Sequence, residues 1–139
     1  MDKIIEEKFV KTFIDKRMQD RLLFELHSDN VQKRHNAISR FAHGTECYIK
    51  KQQIYLSGNK FKIDDIEQEI KKLTQKTKQC YVIVGECDGE IMSLRQALEE
   101  SFNEYFESIV IVNDSVAFIK AEIERGSPVK YILYDKNKN

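Results

Sequence analysis

Glu86, Asp88 and Asp114 are the residues of this 139-residue chain best suited to chemistry. Glu86 and Asp88 lie in the loop Gly85-Glu86-Cys87-Asp88-Gly89-Glu90, and Asp114 lies in Asn113-Asp114-Ser115. Each loop follows a short apolar run, Cys80–Val84 or Ser108–Val112. If both runs are parallel strands, the loops sit at their carboxyl ends, where open α/β sheets bind ligands. Three carboxylates gathered there would hold a hard cation such as Mg²⁺ through oxygen and serve phosphoester chemistry. The plainer account makes Asp88-Gly89 a turn, Asp114 a helix cap and Glu86 a solvated acid. It is preferred, because location by fold analogy is weak support for catalysis.

The other reactive residues are less suggestive. Cys87 precedes a helix, a setting that can lower a thiol pKa, but no histidine lies near it in sequence. His27, His35 and His43 recur at eight residues, a spacing that does not align on a helix. Solvated or hydrogen-bonded imidazoles are expected there, and no metal is assigned. No GxGxxG, GxxxxGK[ST] or GxSxG occurs, so no cofactor is assigned either.

Charge layout says more. Lys plus Arg and Asp plus Glu number 23 each, so nothing global draws the chain to nucleic acid or membrane. Yet between Val31 and Lys62 the cations Lys33, Arg34, Arg40, Lys50, Lys51, Lys60 and Lys62 face only Glu46. Between Glu86 and Glu107 seven acids face only Arg95. Lys33, Arg34, Arg40, His43, Lys50 and Lys51 are therefore the expected partner-binding residues. Phe41, Tyr48, Tyr55 and Phe61 within the basic segment would suit stacking on nucleic acid. Without a recognised nucleic-acid module, a protein partner or a homodimer is favoured.

These residues need elements to position them. Residues 3–26 carry a helical apolar stripe, and 30–42 a second helix ending at His43-Gly44. Residues 46–57 suggest an edge hairpin. Asp64 opens a helix to about residue 76, and further helices are expected over 90–103 and 114–125. With Val129–Tyr134, the two apolar runs give strand–helix–strand–helix–strand. This predicts one α/β domain over 1–139, with a helical pair at 1–43 and a sheet-containing part at 44–135. Its centre is a short parallel three-stranded core with right-handed crossovers. Val82, Val84, Val110 and Val112 are expected inside it. Three cysteines without CxxC fit reduced thiols. An acidic N-terminus unlike a signal peptide, and apolar runs too short for a bilayer, point to the cytoplasm and away from membranes.

Phe9-Val10-Lys11-Thr12-Phe13, Arg21–Leu26, Lys33-Arg34 and Arg40–His43, followed by Asp88-Gly89 and Leu94–Leu98, form a pattern. It resembles a group of short bacterial proteins with an RLLFEL…RFxH helical pair and a later DG-x(4)-L-x-x-A element. The resemblance implies a freestanding bacterial domain and brings no activity with it. The reading is a non-catalytic interaction domain, immunity-like or regulatory. The alternative is a metal-dependent phosphoester enzyme or nucleic-acid binder using loop 85–90 and segment 31–62.

Overall fold

The computed structural model describes residues 1–103, 107–121 and 129–138. Helices α1 (Lys3–Phe13), α2 (Lys16–Leu26), α3 (Val31–His43) and the single turn α4 (Thr45–Tyr48) come first. Strand β1 (Ile54–Gly58) and helix α5 (Ile63–Leu73) follow. Then come β2 (Cys80–Ile83), β3 (Ile91–Met92), α6 (Leu94–Asn103), β4 (Ser108–Ile111), β5 (Val116–Lys120) and β6 (Lys130–Tyr134). The strands form one sheet in the order β1-β6-β5-β4-β2-β3, and every pair is antiparallel.

The expected parallel three-stranded core is therefore wrong. β2 and β4 are neighbours, but they run in opposite directions, with Tyr81 opposite Ile111 and Ile83 opposite Ile109. The cause is the two-residue strand β3. Gly85 (φ 41°) and Gly89 (φ 89°) take the left-handed conformations that turn the chain back on itself. β3 then pairs antiparallel to β2, and α6 carries the chain from β3 to β4. β3 and β4 point the same way with β2 between them, so the helical crossover spans a strand instead of joining neighbours.

The helix expected over 114–125 is also corrected within its described part. Asn113 Oδ1 accepts the N–H groups of Ser115 (2.9 Å) and Val116 (3.1 Å), closing a tight hairpin from β4 into β5. Every residue of β5 is buried. Residues 122–125 of the expected helix lie outside the described residues. The edge hairpin over 46–57 is replaced by α4, a 3-10 turn at Lys51–Gln53 and β1 alone. β1 pairs with β6, which puts β6 inside the sheet.

Helix 3–26 is two helices. Ile14 is extended, fully buried and bridged to Ile49, and Asp15 caps α2 by accepting the Arg17 N–H (3.0 Å). The start of α3 is capped by Asn30, which accepts from Gln32 and Lys33. Helix α6 begins at Leu94, leaving Ile91 on β3.

Helices cover both faces of the sheet. On one, Phe9, Val10, Phe13, Leu22, Leu26 and Phe41 meet Tyr81, Ile83, Ile109, Ile119 and Leu133. On the other, Ile66, Ile70, Leu94 and Leu98 meet Val82, Val84, Val110, Phe118 and Ile132. The valines expected inside, Val82, Val84, Val110 and Val112, are all buried. Among the described residues no helix is long and apolar enough to cross a membrane.

Candidate functional site

Sheet register decides the fate of the acidic residues. Because β2 and β4 are antiparallel, the loop after β2 and the turn after β4 lie at opposite ends of the sheet. Glu86 and Asp88 are thus separated from Asp114, and the three carboxylates do not form one site. Among the described residues no cluster of three or more His, Cys, Asp or Glu could hold a metal. Asp114 is exposed and faces Lys8 at 3.9 Å. Glu86 is exposed on a 3-10 turn.

Asp88 has another partner, Arg34. From α3 its Nε donates to Asp88 Oδ2 (3.0 Å) and its Nη2 to Oδ1 (2.8 Å). Nη1 and Nη2 also donate to the two oxygens of Glu6, each at 2.8 Å, and Nη1 reaches the Leu26 carbonyl at 3.0 Å. All five guanidinium N–H groups are committed. Glu6 on α1 is 1% exposed and also accepts from the Tyr81 hydroxyl (2.6 Å). Burial opposes the charge on Arg34, but the hydrogen bonds and charges of Glu6 and Asp88 outweigh it and hold the guanidinium protonated. Burial, then the Glu6 hydrogen bond, push the Tyr81 phenol well above its ordinary value. This cluster ties α1, α3, β2 and the β2–β3 loop together. It is a fastening, with no donor left for a ligand. Arg34 is removed from the expected partner surface, and Asp88 from the expected ligand site.

Cys87 lacks the lowered pKa that activates a thiol nucleophile. Burial, the Glu90 hydrogen bond and the charges of Glu90 and Glu100 push its thiol up to about 11.

An amphipathic pocket of about 160 Å³ opens between α2, α3 and Tyr48. Met18, Leu22, Ala37 and Tyr48 line it with apolar surface, and Arg17, Arg21, Arg40 and Glu25 add charge. Helix spacing builds this. Arg17 and Arg21 are four residues apart on α2, so they stand on one exposed face, 83% and 79% exposed. Leu22 and Leu26 turn the other way into the core. Phe24, seven residues after Arg17, continues the exposed strip and is 73% exposed. From α3, Arg40 reaches Glu25, which also accepts from Arg21 Nε (2.9 Å). Tyr48 is held edge-on against the buried Phe41 ring, 5.5 Å between centroids.

The expected partner residues divide around this pocket. Arg40 lines it. Lys50 lies close enough to Asp15, at the start of α2, to act on its charge, and donates to the Lys11 carbonyl (3.0 Å). Lys33 shares the Arg40 flank of α3, about 10 Å along the axis. His43 is exposed, about 60° around the helix from Arg40. Lys51 is exposed on the 3-10 turn that follows. Arg17, Arg21 and Phe24 escaped the sequence reading. Their i, i+4, i+7 spacing, opposite the stripe already assigned inward, was the signal that could have found them.

No protein-family model matches this sequence, and no curated protein or solved structure does.

Proposed function

We propose that this protein is a non-catalytic interaction module, immunity-like or regulatory, that grips an acidic segment of a partner protein between α2 and α3. The observation that carries the reading is the trio Arg17, Arg21 and Arg40 around a pocket with an apolar floor of Met18, Leu22 and Ala37, with Phe24 exposed on the same face of α2. Arginine and aromatic side chains dominate the energetics of protein interfaces, and an apolar pocket gives an anchor a place to desolvate. The guanidinium groups suit carboxylates, which they bind through paired hydrogen bonds. Arg17, Arg21, Arg40 and Lys50 outnumber Asp15 and Glu25, so an acidic partner is steered toward the pocket. The partner that fits carries an aliphatic or aromatic anchor flanked by Asp or Glu. The phosphoester alternative is disfavoured because Arg34 occupies Asp88 and Asp114 sits at the far end of the sheet.

A photo-crosslinking residue in place of Phe24, installed in host cells, tests this. The captured species is identified by mass spectrometry, purified and titrated against the parent protein and an Arg21→Glu, Phe24→Ala variant. An acidic protein whose affinity falls by about a hundredfold or more, roughly 2.7 kcal/mol, supports the reading. Capture of nucleic acid, or a partner that binds the variant as tightly as the parent, overturns it.

A further inference from the structure

A second concavity, sharing no residue with the arginine pocket, opens where the segment after α5 meets the β4–β5 turn. It encloses about 870 Å³ and is lined by Thr74–Gln79, Ile111–Ser115, Ile5, Tyr81 and Lys138. Its walls are braced. Asn113 Nδ2 donates to Thr74 Oγ1 and to the Lys76 carbonyl, both at 3.0 Å, which fastens the turn to the segment. The Lys76 N–H also donates to Thr74 Oγ1 (3.1 Å), and the Leu94 N–H to the Thr77 carbonyl (2.9 Å). Thr74 Oγ1 thus accepts twice and keeps its own proton to donate. Lys76 and Lys78 are exposed and pair with no carboxylate among the described residues. Lys138, hydrogen-bonded to Thr12 (2.6 Å), adds a third cation at the rim. Asp114 is the one acid in the lining, and it faces Lys8.

We propose that this groove binds a small molecule carrying a di- or triphosphate chain. The ammonium groups of Lys76 and Lys78 and the hydroxyls of Thr74 and Thr77 line one wall. They supply point charges and hydroxyl donors, the chemistry that phosphate oxygens accept. The braced walls spare a ligand the cost of ordering them. A volume near the upper end of small-molecule sites leaves room beyond the phosphates for the group that bears them. Tyr81 is buried and its hydroxyl is engaged by Glu6, so the groove offers no aromatic platform for a nucleobase, and recognition falls on the phosphates.

The test is calorimetric titration of the whole protein with inorganic triphosphate, ATP and citrate, the last a trianion without phosphorus. Lys76→Gln with Lys78→Gln is the variant, and its melting temperature is checked against the parent. Single Lys78→Gln replaces it if the pair melts early. The expected result is saturable triphosphate binding with Kd below about 1 mM, weakened about tenfold or more in the variant, with citrate far weaker. ATP binding more tightly than triphosphate adds the nucleoside to the recognised group, and equal binding confines it to the chain. No saturable binding of triphosphate, equal affinity in parent and variant, or citrate binding as tightly as triphosphate overturns the proposal.

Discussion

Replacing Arg34 with alanine separates a fastening residue from a surface cation. The guanidinium makes two hydrogen bonds to Glu6, two to Asp88 and one to the Leu26 carbonyl. Glu6 is 1% exposed, so its carboxylate would stay buried with the Tyr81 hydroxyl and the His27 ring, whose Nε2 lies 3.5 Å away, but without its guanidinium. Breaking a buried pair from one side costs about 3–5 kcal/mol. Asp88, whose side chain is 34% exposed, can turn to water and adds little. Unfolding 139 residues carries an entropy near 2.1 cal/mol/K per residue, about 0.29 kcal/mol/K in all. The cost therefore translates to a melting point about 10–17 °C lower. Urea titration followed by circular dichroism measures it, with the slope against denaturant held equal to the parent. Arg34→Met with Glu6→Leu removes both charges and recovers part of the loss; the Tyr81 hydroxyl and the Leu26 carbonyl, which lose these partners, keep the recovery incomplete. A loss under about 0.5 kcal/mol for Arg34→Ala, the figure for an ordinary surface substitution, would show that the cluster does not hold these elements together.

Four more outcomes follow from the geometry. Iodoacetamide at pH 8 should label exposed Cys47 and leave Cys87 almost untouched, because a thiol at about 11 is about one part in a thousand thiolate there. That folded value lies above the unfolded one, so Cys87 favours folding below pH 8.5 and this contribution is lost as pH rises from about 9 to 11; denaturant midpoints across that range read it. Asn113→Ala removes the acceptor that closes the β4–β5 hairpin and the donors that brace Thr74 and Lys76, and should cost about 2 kcal/mol in chemical denaturation. Arg17→Glu with Arg21→Glu, both on exposed side chains, should leave the denaturation midpoint within about 1 kcal/mol of the parent; a larger loss would make the rim structural.

The strands were legible where composition alone decides. Cys80–Ile83 and, after Ser108, Ile109–Ile111 are apolar, and both faces of the sheet are covered, as such runs require. What composition does not encode is direction. Two-sided cover is typical of parallel sheets, but here helices lie on both faces of an antiparallel one, and the reversal comes from two residues, Ile91 and Met92. β5 failed for a related reason. Val116, Ile119 and Ile123 fit a helical stripe, but Val116 and Phe118 face one core while Ala117 and Ile119 face the other, and a short apolar run satisfies either period. The break at Ile14 was visible as a jump in phase, since Phe13 and Ile14 are both buried yet adjacent. Arg34 was expected to bind a partner as a member of the basic segment. Its partners Glu6 and Asp88 lie 28 and 54 residues away, beyond any local pattern. Arg40 and Lys50 stand out in the net charge along the chain, whereas Arg17 and Arg21 stand out only in position around a helix.

The placement of β6 has a consequence for how the protein is made. Among the described strands it is made after the other five, yet it lies between β1 and β5. Until Lys130–Tyr134 emerges, β5 presents an open row of backbone donors and acceptors, and β1, some 75 residues upstream, has nothing to pair with. A nascent or truncated chain ending before Lys130 therefore carries two unsatisfied strand edges, one of them, β5, apolar but for Lys120, the condition under which chains pair with each other. A factor that covers exposed strands during synthesis would prevent that pairing, and quality control that recognises such strands would detect a copy of this protein that ends before Lys130.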